Sequence, residues 1–264
     1  MQSLALSLVL MGAALAQGPH PQGVKHIVLD MNVEVVSLLG EKLYRTPAEG
    51  EDLEKLEAAL AEAEKHAAAQ PDNPAVYTEL AQAYGGLWRY HDAAQAYTKV
   101  ISLTPTDADA FAHRATAFIA LRLFDQAKND FEHATAIAGD TGDNWLGLGV
   151  AHYLRQNFEE ADRAFDEALS RPLPDEKKPV AGFWKNLTQR RLGKPVDPAA
   201  PRWEWMMPYV GGVDKLLAGD KDGALQTWHA LIDNPNWPFL TNVVAEVEIA
   251  ALEGKKKMKP LNDE

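Results

Sequence analysis

The sequence predicts an all-α solenoid of stacked helix hairpins, preceded by a short irregular or β-like N-terminal segment. Three observations carry this. Small residues recur at a fixed interval, with Ala59, Ala93, Ala127 and Ala161 each 34 residues apart. Two further columns keep the same interval in register with them: Ala63, Tyr97, Phe131 and Phe165 four positions later, and the aromatics Tyr90, Phe124 and Phe158 three positions earlier. Between the two helical patterns lies a break, such as "YGGLWRYHD" from Tyr84, that ends one helix and opens the next. A period of this length is the signature of a repeat architecture in which each hairpin buries its apolar face only against its neighbours.

The chain begins with "MQSLALSLVLMGAALAQGPHP", which has no charged side chain, an apolar run from Leu4 to Ala16 and small residues ahead of Gln17. That is a secretory signal pattern, with cleavage expected after Ala16. The run is too short to span a bilayer, so the expectation is a periplasmic or secreted protein without membrane insertion. Residues 17–50 form an extended N-terminal segment. Within it, Val24 to Tyr44 is rich in β-branched residues and has a turn candidate at Gly40, so it reads either as a short strand pair or as a stretch lying along the array.

The array occupies residues 51–193. "EDLEKLEAALAEAEKHAAA" places Leu53, Leu56, Leu60 and Ala63 on one helical face, as the second helix of a preceding unit and an N-terminal cap. Each following unit opens on an aromatic, Tyr77, Phe111 or Trp145, and continues with the small residues Ala81, Ala115 and Gly149, then Tyr84, Phe118 and His152. Large side chains fill the space between units, while small ones let the two helices of a hairpin approach. Pro71 and Pro105 close two units, because proline cannot continue a helix. After Leu169 the period slips: "SRPLPDEKKPV" precedes a further first helix, "AGFWKNLTQRRLG", that ends near Gly193. Residues 194–202, "KPVDPAAPR", read as a linker. Residues 203–264 hold a degenerate pair, with Gly219, Ala224 and Trp228 in the pattern, and "FLTNVVAEVEIAALEG" as a closing helix.

These columns resemble the tetratricopeptide repeat, whose pattern of an aromatic start, a small residue four later, an aromatic and Ala at the turn and a closing Pro is matched from about Leu53 to Leu192. Arg114 stands where a Leu is usual, His152 replaces an aromatic and Gly139 replaces the closing proline. The resemblance implies a right-handed superhelix whose concave face, lined by the first helix of each unit, receives a protein or peptide. It nominates Thr78, Gln82 and Gly85 in the first unit, Ala112, His113, Thr116 and Ile119 in the second, and Leu146, Val150 and Tyr153 in the third. Family members that hold acidic peptide C-termini present Lys, Arg and Asn there; these residues argue against such a carboxylate clamp.

The formal net charge of −12 gives a field that repels phosphate backbones and anionic lipids, which argues against nucleic-acid and membrane-surface partners. The one basic run, "GKKKMKP" from Gly254, reads as a solvated tail. There is no Cys, hence no disulfide framework, thiol chemistry or lipoprotein attachment. No zinc helix, phosphate-binding glycine loop or nucleophile elbow is present. His66, His133 and His152 fall in or beside core columns, and His20 and His26 do not make a copper site, because Pro19 lacks the amide hydrogen that such a site deprotonates. The acids of "NFEEADRAFDEA" mark a solvent face. The expectation is therefore a non-catalytic binding scaffold of the bacterial cell envelope without cofactor or metal. Two other readings stay open: an enzyme or small-ligand receptor with a site between the repeats and the Trp-rich C-terminal part, and a structural subunit of an envelope complex. Within that part Trp203, Trp205, Met206 and Met207 form a candidate aromatic surface, against the plainer reading that they fill degenerate packing.

Overall fold

Each hairpin of the array ends its first helix and begins its second by one local device. The computed structural model describes residues 33–44, 51–197, 199, 203–232 and 237–254. The expected signal peptide, His20, His26 and the basic run after Gly254 lie outside these. Among the described residues there are two strands, β1 (Val33–Val36) and β2 (Lys42–Tyr44), and eleven α-helices. The helices are α1 (Glu51–Ala69), α2 (Pro74–Gly86), α3 (Tyr90–Leu103), α4 (Ala108–Ala120), α5 (Phe124–Ile137), α6 (Gly142–Leu154) and α7 (Phe158–Ser170). They continue with α8 (Lys178–Arg191), α9 (Met207–Leu217), α10 (Lys221–Ile232) and α11 (Leu240–Leu252).

The first helices of the first two units, α2 and α4, start on conventional caps. Asn73 accepts from the Ala75 amide, with Pro74 fixing the first helical φ, and Asp107 accepts from the Ala110 amide. The second helices α3, α5 and α7 have no side-chain cap. They are entered instead through a left-handed residue, Trp88, Arg122 or Gln156, with φ of 54°, 61° and 59°. The amides of Arg89, Leu123 and Asn157 donate to the carbonyls of Tyr84, Phe118 and His152, so the same six-residue closure recurs in each unit. A glycine is the usual occupant of such a position; these three positions carry large side chains, at a cost of about 1 kcal/mol or more each.

Sequential helices pack on one another from α1 through α8, and again from α9 through α11. The small column does what its period predicts: Ala93, Ala127 and Ala161 are buried at the hairpin crossings. A β-carbon built on Gly149 would meet the Phe165 ring at 2.4 Å, and one on Gly147 would meet Phe131 at 2.2 Å. Ala59 differs. It is exposed, because no helix of its own hairpin precedes α1 among the described residues. The N-terminal segment resolves as an antiparallel strand pair, with Val36 opposite Lys42, turning at Gly40 at φ 90°. It belongs to the tertiary structure: buried Glu34 accepts from the His91 amide at the uncapped start of α3.

Arg114, the departure from the apolar column of Leu80 and Leu148, is matched from the next helix. Its guanidinium makes two 2.7 Å bonds to Asp130, which stands where the other units have Ala96 and Ala164. The Leu and Ala positions of the first and third units thus hold an Arg–Asp pair in the second, with the guanidinium also reaching Thr98. Breaking a buried pair leaves an uncompensated charge, whereas replacing both partners is often neutral. Arg114→Leu alone should therefore destabilise the fold by about 3–5 kcal/mol in urea unfolding, and Arg114→Leu with Asp130→Ala should recover most of that loss.

Candidate functional site

The nominated groove residues form three columns at the repeat interval: Thr78, Ala112 and Leu146; Gln82, Thr116 and Val150; Gly85, Ile119 and Tyr153. Along each column the chemistry turns from small or polar to apolar, and the environment follows. Gln82 is exposed, and Thr78 and Gly85 are half-buried. Ala112, Thr116, Ile119, Leu146, Val150 and Tyr153 are all buried, none more than 9% exposed. Thr116 Oγ1 spends its hydrogen on the Ala112 carbonyl of its own helix. His113 is half-buried beside the Tyr97 ring, its Nδ1 has no hydrogen-bond partner, and burial holds its imidazole below the usual histidine pKa. One continuous concave surface was the expectation. In the structure the second and third units are covered, and the open positions lie in the first.

The cover is the chain's own C-terminal part. Ile119, Leu146, Val150 and Tyr153 share one buried cluster with Tyr209 of α9 and Val243, Val244 and Val247 of α11, and α11 lies against α4. Residues 242–250 of α11 are buried without interruption, so the helix is enclosed on every side. The left-handed turn residues reach toward this segment. Trp88 meets Trp237 and Phe239 edge-on, Arg122 binds Glu246, and Gln156 donates to Glu248. Arg122 and Glu246 are 4% and 5% exposed at the side chain and 2.7 Å apart. Arg122 also donates to the carbonyls of Ala120 and Trp237, and Glu246 accepts from the Leu38 amide of the hairpin turn. Glu248 takes Arg191 and the Tyr209 hydroxyl, which in turn lies 2.9 Å from the Tyr153 hydroxyl. Burial, then the Glu248 charge, pushes the Tyr209 phenol well above its ordinary pKa, so it stays a neutral donor.

Magnitudes decide whether α11 is a removable plug. Leu240, Val243, Val244, Val247 and Ile249 are all buried, and at roughly 1.5–3 kcal/mol each they contribute about 8–15 kcal/mol. Ordering the helix offsets part of this gross contribution, but its loss would also leave Arg122 and Arg191 without their buried carboxylate partners, so α11 is an integral part of the core.

The candidate aromatic surface is corrected by its burial. Met206 is wholly buried, Met207 is partly buried against the core, and Trp203 is half-buried with its ring 5.0 Å from Phe183. The Trp205 side chain lies outside the described residues. The junction between repeats and C-terminal part is likewise filled, by Tyr153, Trp184, Tyr209 and Trp228. Among the histidines, His66 and His133 lie nearer the surface than their columns suggest. His66 bridges Glu62 and Glu79, and its hydrogen bond to Glu79 raises its pKa. Among the described residues no three His, Asp or Glu side chains are grouped to hold a metal, and no helix is long and apolar enough to cross a membrane. Sequence reasoning missed Arg122, Gln156, Glu246 and Glu248. The available signal was three bulky residues at the repeat interval, each just past the end of a first helix.

Residues 74–107 match the tetratricopeptide repeat family model. The human Tetratricopeptide repeat protein 13 is 26% identical over 175 residues, 65% of this chain and 20% of that protein. The Small glutamine-rich tetratricopeptide repeat-containing protein 2 of Saccharomyces cerevisiae is 36% identical over 80 residues, 30% of this chain and 23% of that one. The chain thus spans about a fifth of the length of these relatives. A solved tetratricopeptide repeat protein from Parabacteroides merdae is 17% identical at a TM-score of 0.49, covering 76% of this chain and 79% of its own.

Two measurements check the division of the concave face. Gly85 is helical with open space where a β-carbon would sit, so Gly85→Ala should be neutral or stabilise by up to about 1 kcal/mol. Gly149→Ala drives a methyl into Phe165 and should cost about 1–3 kcal/mol; chemical denaturation separates the pair. In native-state hydrogen exchange, the amides of Val243–Ile249 should open only with global unfolding, whereas a releasable plug would show a lower local free energy.

Proposed function

Taking the chain as a tetratricopeptide repeat protein, we propose that it is a non-catalytic interaction scaffold of the bacterial cell envelope. Its partner docks on the concave positions of the first unit. The observation that carries this reading is the contrast along the three columns. Thr78, Gln82 and Gly85 remain accessible, while their counterparts in the next two units are buried and, Thr116 apart, belong to the cluster that includes the chain's own C-terminal helices.

The chemistry of the open patch favours a peptide segment. Gln82 offers an amide donor and acceptor, and Gly85 leaves room for a backbone to approach closely. Thr78 Oγ1 donates to the Pro74 carbonyl, which leaves its lone pairs to accept from outside. A patch confined to one face of α2 suits a transient contact rather than an obligate one. The charge-free start and apolar run from Leu4 to Ala16 support export.

A photo-crosslinking residue at Gln82 should capture a protein or peptide in an envelope extract, and the same residue at Tyr153 should capture none. Capture at neither position overturns the docking surface. Recovery of the protein with an N-terminus at Gln17 from the periplasmic or secreted fraction checks the export reading; recovery of the uncleaved chain in the cytosol removes it.

A further inference from the structure

We propose that the hairpin of β1 and β2 is a closing strap, the last element to seat on the folded chain, and that it sets how long the folded state lasts. Among the described residues its two strands, of four and three residues, pair only with each other. A two-stranded hairpin is at best marginally stable alone, yet Glu34, Val35 and Ser37 are all buried. Other parts of the chain bury them.

Those parts are distant in sequence. Glu34 accepts from the His91 amide at 2.7 Å, at the start of α3. Val35 joins a cluster with Ala120 and Leu121 at the turn of the second unit and Trp237 ahead of α11, and Leu43, Trp88 and Tyr90 pack against it. The Leu38 amide donates to Glu246, and the Trp237 indole donates to the Tyr44 carbonyl at 2.8 Å. These two contacts span 208 and 193 residues. While the intervening chain is unfolded, closing so long a loop costs entropy that the few contacts of one small hairpin do not return. Once the array and the C-terminal part are packed, the same groups stand side by side.

The dependence runs one way. Arg122 holds α11 at Glu246, and Arg191, Gln156 and Tyr209 hold it at Glu248; none of these belongs to the hairpin. The helices of the array pack on their sequence neighbours without it. The hairpin, in contrast, finds at Trp237 and Glu246 a place that exists only after α11 is seated. Its arrival then adds the Leu38 amide to Glu246 and an acceptor to the uncapped start of α3. Interactions made after the folding transition state slow unfolding and leave the folding rate unchanged, so the strap acts as a kinetic lock on α11.

The full chain has no Cys, so a single introduced thiol reports alone. Val35→Cys marks the strap, Val244→Cys marks α11 and Val100→Cys marks the array; all three side chains are buried. With pulses of a thiol reagent during refolding from urea, Val35→Cys should become protected last. In the folded protein it should label about tenfold or more faster than Val244→Cys, through an opening that leaves α11 in place. Gly40→Ala reads the same order without a thiol, so the test stands even where a thiol variant does not fold. A β-carbon at Gly40 meets nothing within 4 Å, but the φ of 90° strains any side chain there. By tryptophan fluorescence this variant should unfold about five- to thirtyfold faster and refold at an unchanged rate. Protection of Val35→Cys before or together with Val244→Cys overturns the strap. So does refolding slowed by Gly40→Ala as much as unfolding is sped, because that places the hairpin in the folding nucleus.

Discussion

Arg122 is the point at which three distant parts of the chain meet. Its guanidinium sits at an intrahairpin turn of the array, binds Glu246 of the last helix and donates to the Trp237 carbonyl before it, while Glu246 also holds the Leu38 amide of the strand hairpin. An ion pair removed from water repays its desolvation only when the remaining donors and acceptors are satisfied. Here they are, by backbone groups from each of the three parts. The left-handed backbone at Arg122 is tolerated on the same account, since that conformation turns the side chain into the junction.

From this follows the division of the concave face. A superhelix of hairpins exposes the first helix of every unit, and apolar columns on that face must be covered by something. In this protein the columns of the second and third units are buried and, Thr116 apart, apolar, and they share one cluster with side chains of α9 and α11. The first unit carries Thr, Gln and Gly in the same columns and needs no cover. Gradient and cover are two sides of one constraint: where the chain supplies its own occupant, the residues are those of a core; where it does not, they are those of a surface.

The array itself was legible because its information is local and periodic. Ala93, Phe131 and Tyr90 each declare their role through neighbours three, four or 34 positions away, and the strand pair was at least among the readings of Val24 to Tyr44. The destination of α11 was not legible. "NVVAEVEIAAL" reads as a helix with one apolar face and two solvated acids, and nothing within it says that Glu246 and Glu248 face guanidinium groups more than 50 residues away in sequence. The same gap misled the reading of Leu146, Val150 and Tyr153, which are apolar for the reason that a core residue is. Met206 and Trp203 repeat the lesson at the degenerate pair, where bulky side chains fill packing that a regular repeat would close with alanine.

Repeat proteins ordinarily gain or lose units freely, because each hairpin answers only to its neighbours. The threading of α11 past the turns at Trp88, Arg122 and Gln156 ends that freedom here. Inserting or deleting one hairpin would shift the turn row against a helix of fixed length, so that guanidinium and carboxylate no longer coincide. The number of units is thereby set by the length of the segment they enclose, and the array behaves as a single closed body of defined size instead of an extensible rod.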